Sequence, residues 1–208
     1  MNNSSSKPRL GILASGSGTN LQKIIEAVQS GEIPAEISVV ISNKEDAYAL
    51  ERARKHNISN LFINPKDFNS RIEYDKELIK ILKSYDIDLI VMAGYMLVVT
   101  PEFIDTFKNR ILNIHPALCP SFPGAYGVKD AFDYGVKVTG VTVHFADAGV
   151  DTGPIILQQA VPILEDDTEE SLLKRIHEVE YKLFPQAIKL FCQGRLKIEG
   201  RKVKIFPE

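Results

Sequence analysis

Short apolar runs alternate with amphipathic helical patterns along most of this chain, and that alternation leaves few folds open. Arg9 to Ala14 reads as a buried strand. Leu21, Ile24, Ile25 and Val28 then recur at helical spacing until Gly31 can end the helix. The pair of patterns repeats, with a strand over 37–41, a helix over 47–56 and a strand over 61–63. Ile72, Leu78, Ile79, Leu82 and Tyr85 mark a further helix, and 89–93 a fourth strand. Such alternation predicts right-handed crossovers and an α/β fold, with a mainly parallel sheet covered by helices on both faces.

The second half is more varied. Thr100 and Pro101 open a short helix as cap and first residue. Residues 111–114 form a strand, 125–134 a helix ending at Gly135, and 141–145 and 155–161 two more strands. Asp167 followed by Glu170 reads as the capping pattern of a long helix over 169–191, which Pro185 should kink. The tail LKIEGRKVKI reads as two short strands around Glu199 and Gly200. Residues 1–8 are expected to be a disordered tail and no signal peptide, since MNNSSSKP has no apolar run. Residues 9–208 are expected to form a single domain, with halves over 9–110 and 111–208 and a sheet that changes character after Pro116.

Composition excludes several function classes. The formal net charge of -2 argues against a protein held to nucleic acid by its overall charge. No apolar stretch is long enough to span a bilayer. The two cysteines, Cys119 and Cys192, make no CxxC pair, which fits a reducing compartment. The four histidines show no HxxxH or HExxH spacing, and no metal is expected to be required.

Four places carry candidate chemistry. Ser15, Gly16, Ser17, Gly18, Thr19 and Asn20 lie between a strand and a helix, where glycines let the backbone approach an anion and the helix offers free amides. Leu21 stands where a dinucleotide fingerprint has its third glycine, and no Lys follows to make a P-loop. A tight turn without a ligand is the plain alternative. Asn113 and His115 share one face at the end of an apolar strand, just before Pro116, Pro120 and Pro123. An amide can donate to a developing oxyanion, and an imidazole can carry a proton near neutral pH. A buried pair satisfied by loop carbonyls fits the pattern as well. Asp151 lies in the turn 147–154, an ordinary loop by composition; facing His115, it favours the imidazolium and raises the histidine pKa. Glu180 falls inside the apolar stripe of Leu172, Leu173, Ile176, Val179, Leu183 and Ala187, so it needs a basic partner or a substrate. His177 sits at the stripe's edge. His144 reads as a satisfied core histidine, Cys119 as a packed thiol, and Lys80, Lys83 and Lys108 as solvated helix faces.

The segments SGSGTNLQ, FNSRIEYDKEL, VMAGYM, LNIHPALCPSFPG, TGVTVHF, GVDTGPIILQ and HEVEYKLFP together resemble the phosphoribosylglycinamide formyltransferase family of purine biosynthesis. The similarity covers nearly the whole chain. It implies a Rossmann-like formyltransferase fold with a sheet of about seven strands. It also implies 10-formyltetrahydrofolate as cosubstrate and glycinamide ribonucleotide as acceptor. In that light the catalytic group is Asn113 (oxyanion stabiliser), His115 (general acid/base) and Asp151. Substrate contacts fall on Gly18, Thr19, Asn20, His177, Glu178, Val179 and Glu180. Folate contacts fall on Arg71, Met96, Leu97, Val98, Val99, Asn113, Asp147, Ala148, Gly149, Val150 and Asp151. Leu97 stands where an arginine often follows the Gly-aromatic-Met motif, and residues 124–129 receive no role. The resemblance further implies a cytoplasmic monomer or homodimer working on small molecules.

Three other readings stand beside this one. A formyltetrahydrofolate hydrolase would use water in place of the amine, and its regulatory domain is not expected before Arg9. A non-catalytic nucleotide-binding module would use the glycine turn and leave Asn113 and His115 unexplained. A methionyl-tRNA formyltransferase would add an RNA-binding domain, which is not expected where the chain stops at Glu208.

Overall fold

The strand Arg9–Ala14 (β1) is apolar on both faces, as a strand inside a covered parallel sheet must be. The structure, a computed structural model, describes residues 7–207. The tail expected over 1–8 lies outside them except at Lys7 and Pro8. The other strands are β2 (Glu36–Ser42), β3 (Asn60–Phe62), β4 (Leu89–Met92) and β5 (Ile111–His115), then β6 (Val138–Phe145), β7 (Ile155–Pro162), β8 (Leu196–Glu199) and β9 (Lys202–Ile205). The helices are α1 (Thr19–Gln29), α2 (Tyr48–Lys55), α3 (Arg71–Ser84), α4 (Pro101–Thr106), α5 (Gly127–Tyr134) and α6 (Glu169–Cys192). No helix among the described residues is long and apolar enough to cross a membrane.

The described strands form one sheet in the order β3-β2-β1-β4-β5-β6-β7-β9-β8. Pairing is parallel from β3 through β5 and antiparallel from β5 through β7. The change of direction follows Pro116. The sheet has nine strands where about seven were expected, because the C-terminal hairpin joins its edge: β9 pairs with β7 at Ile155 and Lys202.

The side-chain period of two divides the interior into two clusters. Ile12, Val91, Leu112 and Val143 pack toward α1, α2, α5 and α6, against Leu21, Ile24, Ile176, Phe184 and Ile188. Leu13, Ile41, Ile90 and Ile111 pack the other way, toward α3 and α4, against Tyr74, Leu78 and Phe103. Each fully buried side chain of this size contributes roughly 1.5–3 kcal/mol. The alternation along β5 therefore turns Asn113 and His115 to the α3–α4 side, with Ile111.

Helix ends follow local chemistry. Ser70 caps α3 by accepting from Glu73 N–H, and Thr100 caps α4 from Phe103 N–H. The cap of α6 differs from expectation. Thr168 and Ser171 form a reciprocal capping box, whereas Asp167 is taken by Arg175 at 2.8 Å and Glu170 pairs with Lys174. Helix α6 runs on through Pro185, and Leu173 of the expected stripe is exposed.

Candidate active site

The chain reverses direction across the sheet between β1 and β4. Ligands of open α/β sheets gather beyond the strand ends at such a point. The turn after β1 enters α1 through Gly18, whose φ of +68° favours glycine. A Cβ there would also meet the Ala49 backbone at 2.8 Å. No side chain caps α1, so its first amides stay open to an acceptor. Arg52 Nε donates to Ser17 O at 2.8 Å and fixes the turn from α2. The buried Ser15 hydroxyl donates to Asn43 and accepts from Met96 N–H, which ties this turn to the segment after β4.

Asn113, His115 and Asp151 meet. Asn113 Nδ2 lies 3.1 Å from Asp151 Oδ1, and His115 Nδ1 lies 3.4 Å from Asp151 Oδ2. His115 Nε2 donates to the Phe122 carbonyl at 2.7 Å. Both ring nitrogens thus face acceptors, an arrangement that suits an imidazolium. Gly124 N–H donates to Asp151 Oδ2 at 2.8 Å. Burial pushes the Asp151 carboxyl up, but the hydrogen bonds and charge around it, among them the Gly124 amide and His115, outweigh burial and hold it below its ordinary value. Asp151 has φ +53°, a left-handed conformation that Asp tolerates better than most residues.

These residues border a cavity of about 240 Å³. One wall is Met92 and the segment from Gly94 to Val99; the other is Ala146 to Asp151. Met96, Leu97, Val98, Val99, Asp147, Ala148, Gly149 and Val150 all line it. The 147–151 wall is braced from below. Asp147 Oδ1 accepts from Gly149 N–H and from Thr152 Oγ1, and Arg201 of the hairpin donates to Thr152 O at 2.8 Å. Gly153 closes this loop so tightly that a Cβ would sit 1.7 Å from Phe145 O. Gly153→Ala is expected to cost about 3 kcal/mol, read as a lower urea midpoint at unchanged m-value. A wild-type midpoint would show that the loop is not packed this closely.

A second polar group lies at the open end of α1. Asn20 Nδ2 donates to Glu180 Oε2 at 3.0 Å, and His177 Nε2 is 4.0 Å from the same oxygen. Burial raises the Glu180 carboxyl to about 7, offset in part by the Asn20 hydrogen bond. The folded state therefore binds the proton more tightly than the unfolded chain, whose value is 4.5. Stability from this group is fully present below 4.5 and is lost as pH rises through about 7. The loss is on the order of 3 kcal/mol. Glu180→Gln is expected to flatten that decline, measured as urea unfolding free energies at about pH 5 and about pH 8. Equal slopes in both proteins would refute the buried, raised carboxyl.

The remaining expected residues are scattered. Glu178 is exposed, and Val179 packs on the core, so neither joins the Asn20–Glu180 contact. Arg71 does not line the cavity. It pairs with buried Asp75 at 3.0 Å and stacks on Tyr74, while Asp75 Oδ2 accepts from Thr100 N–H. Cys119 is buried and free, as a packed thiol should be. Three residues at the site went unassigned. His144, read as a core histidine, is buried but lies 3.2 Å from Asn113 Nδ2. Gly124 N–H donates to Asp151, and a Cβ on Gly127 would press on the His115 ring at 3.0 Å, so these two residues of the 124–129 segment pack against the site. The available signal for His144 was the antiparallel register that sets it opposite Asn113.

A family model for formyl transferases matches residues 8–188. The crystal structure of glycinamide ribonucleotide transformylase 1 from Symbiobacterium toebii aligns with a TM-score of 0.96 at 49% identity, covering 100% of this chain and 99% of that one. Phosphoribosylglycinamide formyltransferase of Haemophilus influenzae is 44% identical over 191 residues, 92% of this chain and 90% of that protein. The trifunctional purine biosynthetic protein adenosine-3 of Drosophila melanogaster is 46% identical over 190 residues. Those residues are 90% of this chain but 14% of that much longer relative.

Proposed function

This chain belongs to the formyl transferase family, and we propose that it moves a formyl group from 10-formyltetrahydrofolate to the amine of glycinamide ribonucleotide. The products are formylglycinamide ribonucleotide and tetrahydrofolate, in purine biosynthesis in the cytoplasm. One observation carries the reading: an amide, an imidazole and an ionised carboxylate converge on the rim of one cavity at the strand ends.

The cavity suits a flat heteroaromatic donor. Met92, Met96, Leu97, Val98 and Val99 give it apolar surface, while the loop from Asp147 to Asp151 and the segment from Gly94 offer main-chain groups for ring nitrogens. The open N-terminus of α1 at Gly18, Thr19 and Asn20 suits the phosphate of the acceptor. Glu180 and Asn20 suit its hydroxyls or amine.

In this reading the amine attacks the formyl carbon, the carbon–nitrogen bond to the folate breaks, and the amine's proton ends on the departing nitrogen. Asn113 donates to the developing oxyanion. His115 exchanges the Phe122 carbonyl for the reacting group and moves the proton, and Asp151 orients the ring and balances its charge.

Turnover of a 10-formyl folate with and without glycinamide ribonucleotide tests the whole reading. Transfer that depends on the ribonucleotide supports it, and formate release without any amine would favour the hydrolase instead. Glu180→Ala is expected to raise KM for the ribonucleotide at least tenfold more than KM for the folate, as loss of a charge-assisted contact implies. An equal rise in both would remove Glu180 from the acceptor site.

A further inference from the structure

We infer that His144 is a positioning residue for this reaction: its neutral ring, protonated at Nδ1 and bare at Nε2, fixes the orientation of the Asn113 amide. The inference rests on the proposed role of Asn113 and follows from which atoms can donate. His144 Nδ1 lies 2.9 Å from the Phe145 carbonyl, which only accepts, so Nδ1 carries a hydrogen. Asp151 Oδ2 already accepts from Gly124 N–H and faces His115 Nδ1, and a carboxylate oxygen only accepts, so the Asn113 atom 3.1 Å from Asp151 Oδ1 must be the amide nitrogen. That same nitrogen lies 3.2 Å from His144 Nε2. Two N–H donors do not face each other at that distance, so Nε2 accepts.

The competing arrangement has a charged His144 donating from Nε2 to Asp151 Oδ1. Its distance is 3.5 Å, longer than the Asn113 contact, and it would set N–H against N–H. The ring itself has little freedom. His144 is 2% exposed, in mid-sheet, and paired in register with Asn113.

The consequence is directional. With two acceptors around Nδ2, the amide cannot turn its oxygen toward Asp151. Its NH2 end stays among the cavity-lining residues, satisfied in the resting site. A neutral imidazole nitrogen is a weaker acceptor than an oxyanion. His144 therefore holds one Asn113 hydrogen in place and yields it when charge develops on the reacting carbonyl. Without that acceptor Asp151 alone holds the amide, its second hydrogen is no longer aimed, and it donates less often in the productive direction.

Histidine 15N NMR on the full-length wild-type protein tests the tautomer directly. Protonated Nδ1 with bare Nε2 at His144 is expected, and a proton on Nε2 overturns the inference. Kinetics supply the second arm. His144→Phe removes the acceptor and is expected to lower kcat about tenfold or more, with both KM values nearly unchanged. His144→Gln, whose Oε1 can stand in for Nε2, is expected to recover most of the loss. In an Asn113→Ala background His144→Phe is expected to cost nothing further, because the residue acts through Asn113. Equal losses in both backgrounds, or failure of the Gln variant to recover activity when folded, would overturn the role. Undiminished turnover by Asn113→Ala alone would instead sink the assignment of Asn113.

Discussion

Replacing His115 with Ala is expected to lower kcat by about 10²–10⁴ while both KM values change little. The reasoning starts from the ring's surroundings. His115 is 3% exposed, its Nδ1 faces Asp151 and its Nε2 faces the Phe122 carbonyl, so the ring is held at both ends before any substrate arrives. Gly127 packs within contact distance of the same ring and leaves no room for it to swing. A held, chargeable ring contributes to a transition state rather than to ground-state binding, which is why kcat and not KM should fall. His115→Ala also strips a donor from Phe122 O and from Asp151, at a cost of about 1–3 kcal/mol in stability. His115→Gln separates the two effects. Its amide can still donate toward Phe122 but carries no exchangeable charge, so it is expected to regain stability without regaining turnover. Single-turnover rates from both folded variants decide the matter; rates within about tenfold of wild type would end the acid–base assignment.

How much of this was readable from the sequence depends on whether the relevant contact is local. The end of β5 was legible because a strand's period of two is enough to put Asn113 and His115 on one face. Glu180 was legible for a similar reason, since a carboxylate inside an apolar helical stripe stands out at 3.6 residues per turn. The glycine turn announced itself by position. Asp151 did not, because Asp fills turns everywhere; only the wider resemblance singled it out, and its contact with His115 spans a long stretch of chain.

What stayed hidden needed pairing in space. His144 alternates with Val143 and Phe145, so its own strand says only that it faces the other way. Its nearness to Asn113 comes from the antiparallel register of β6 on β5, which no single strand encodes. Gly124 and Gly127 act through close approach of a folded-back loop, where a missing side chain is the feature. The hairpin's attachment is similar. Two short strands were visible, but not that they extend the sheet beyond β7 or that Arg201 would brace the Thr152 carbonyl beside Asp151. The α6 cap went astray because Asp167 and Glu170 have the right spacing, yet Arg175 claims the aspartate from two turns away.

Asn113→Ala is expected to lower kcat by about 10²–10³, the loss of one oxyanion donor, or about 2.7–4 kcal/mol of transition-state stabilisation. Its effect on KM should be small, since the contact forms only as charge develops. The folded state should tolerate the change. Asn113 is half-buried, and its removal leaves Asp151 with Gly124 N–H and His115 as partners. Asn113→Asp is the sharper probe. It keeps the shape but offers no N–H, and it sets a second carboxylate near Asp151 Oδ1, where the amide nitrogen now lies at 3.1 Å. Like charges that close cannot both ionise without penalty, so one must hold a proton or the site must open. Asn113→Asp is therefore expected to be as inactive as Asn113→Ala and, unlike it, to lose stability as pH rises above the range where one carboxyl is protonated. If a folded Asn113→Ala turned over within about tenfold of wild type, the oxyanion would have to be met by main-chain donors of the cavity wall instead. The amide's placement between His144 and Asp151 would then be a matter of packing alone.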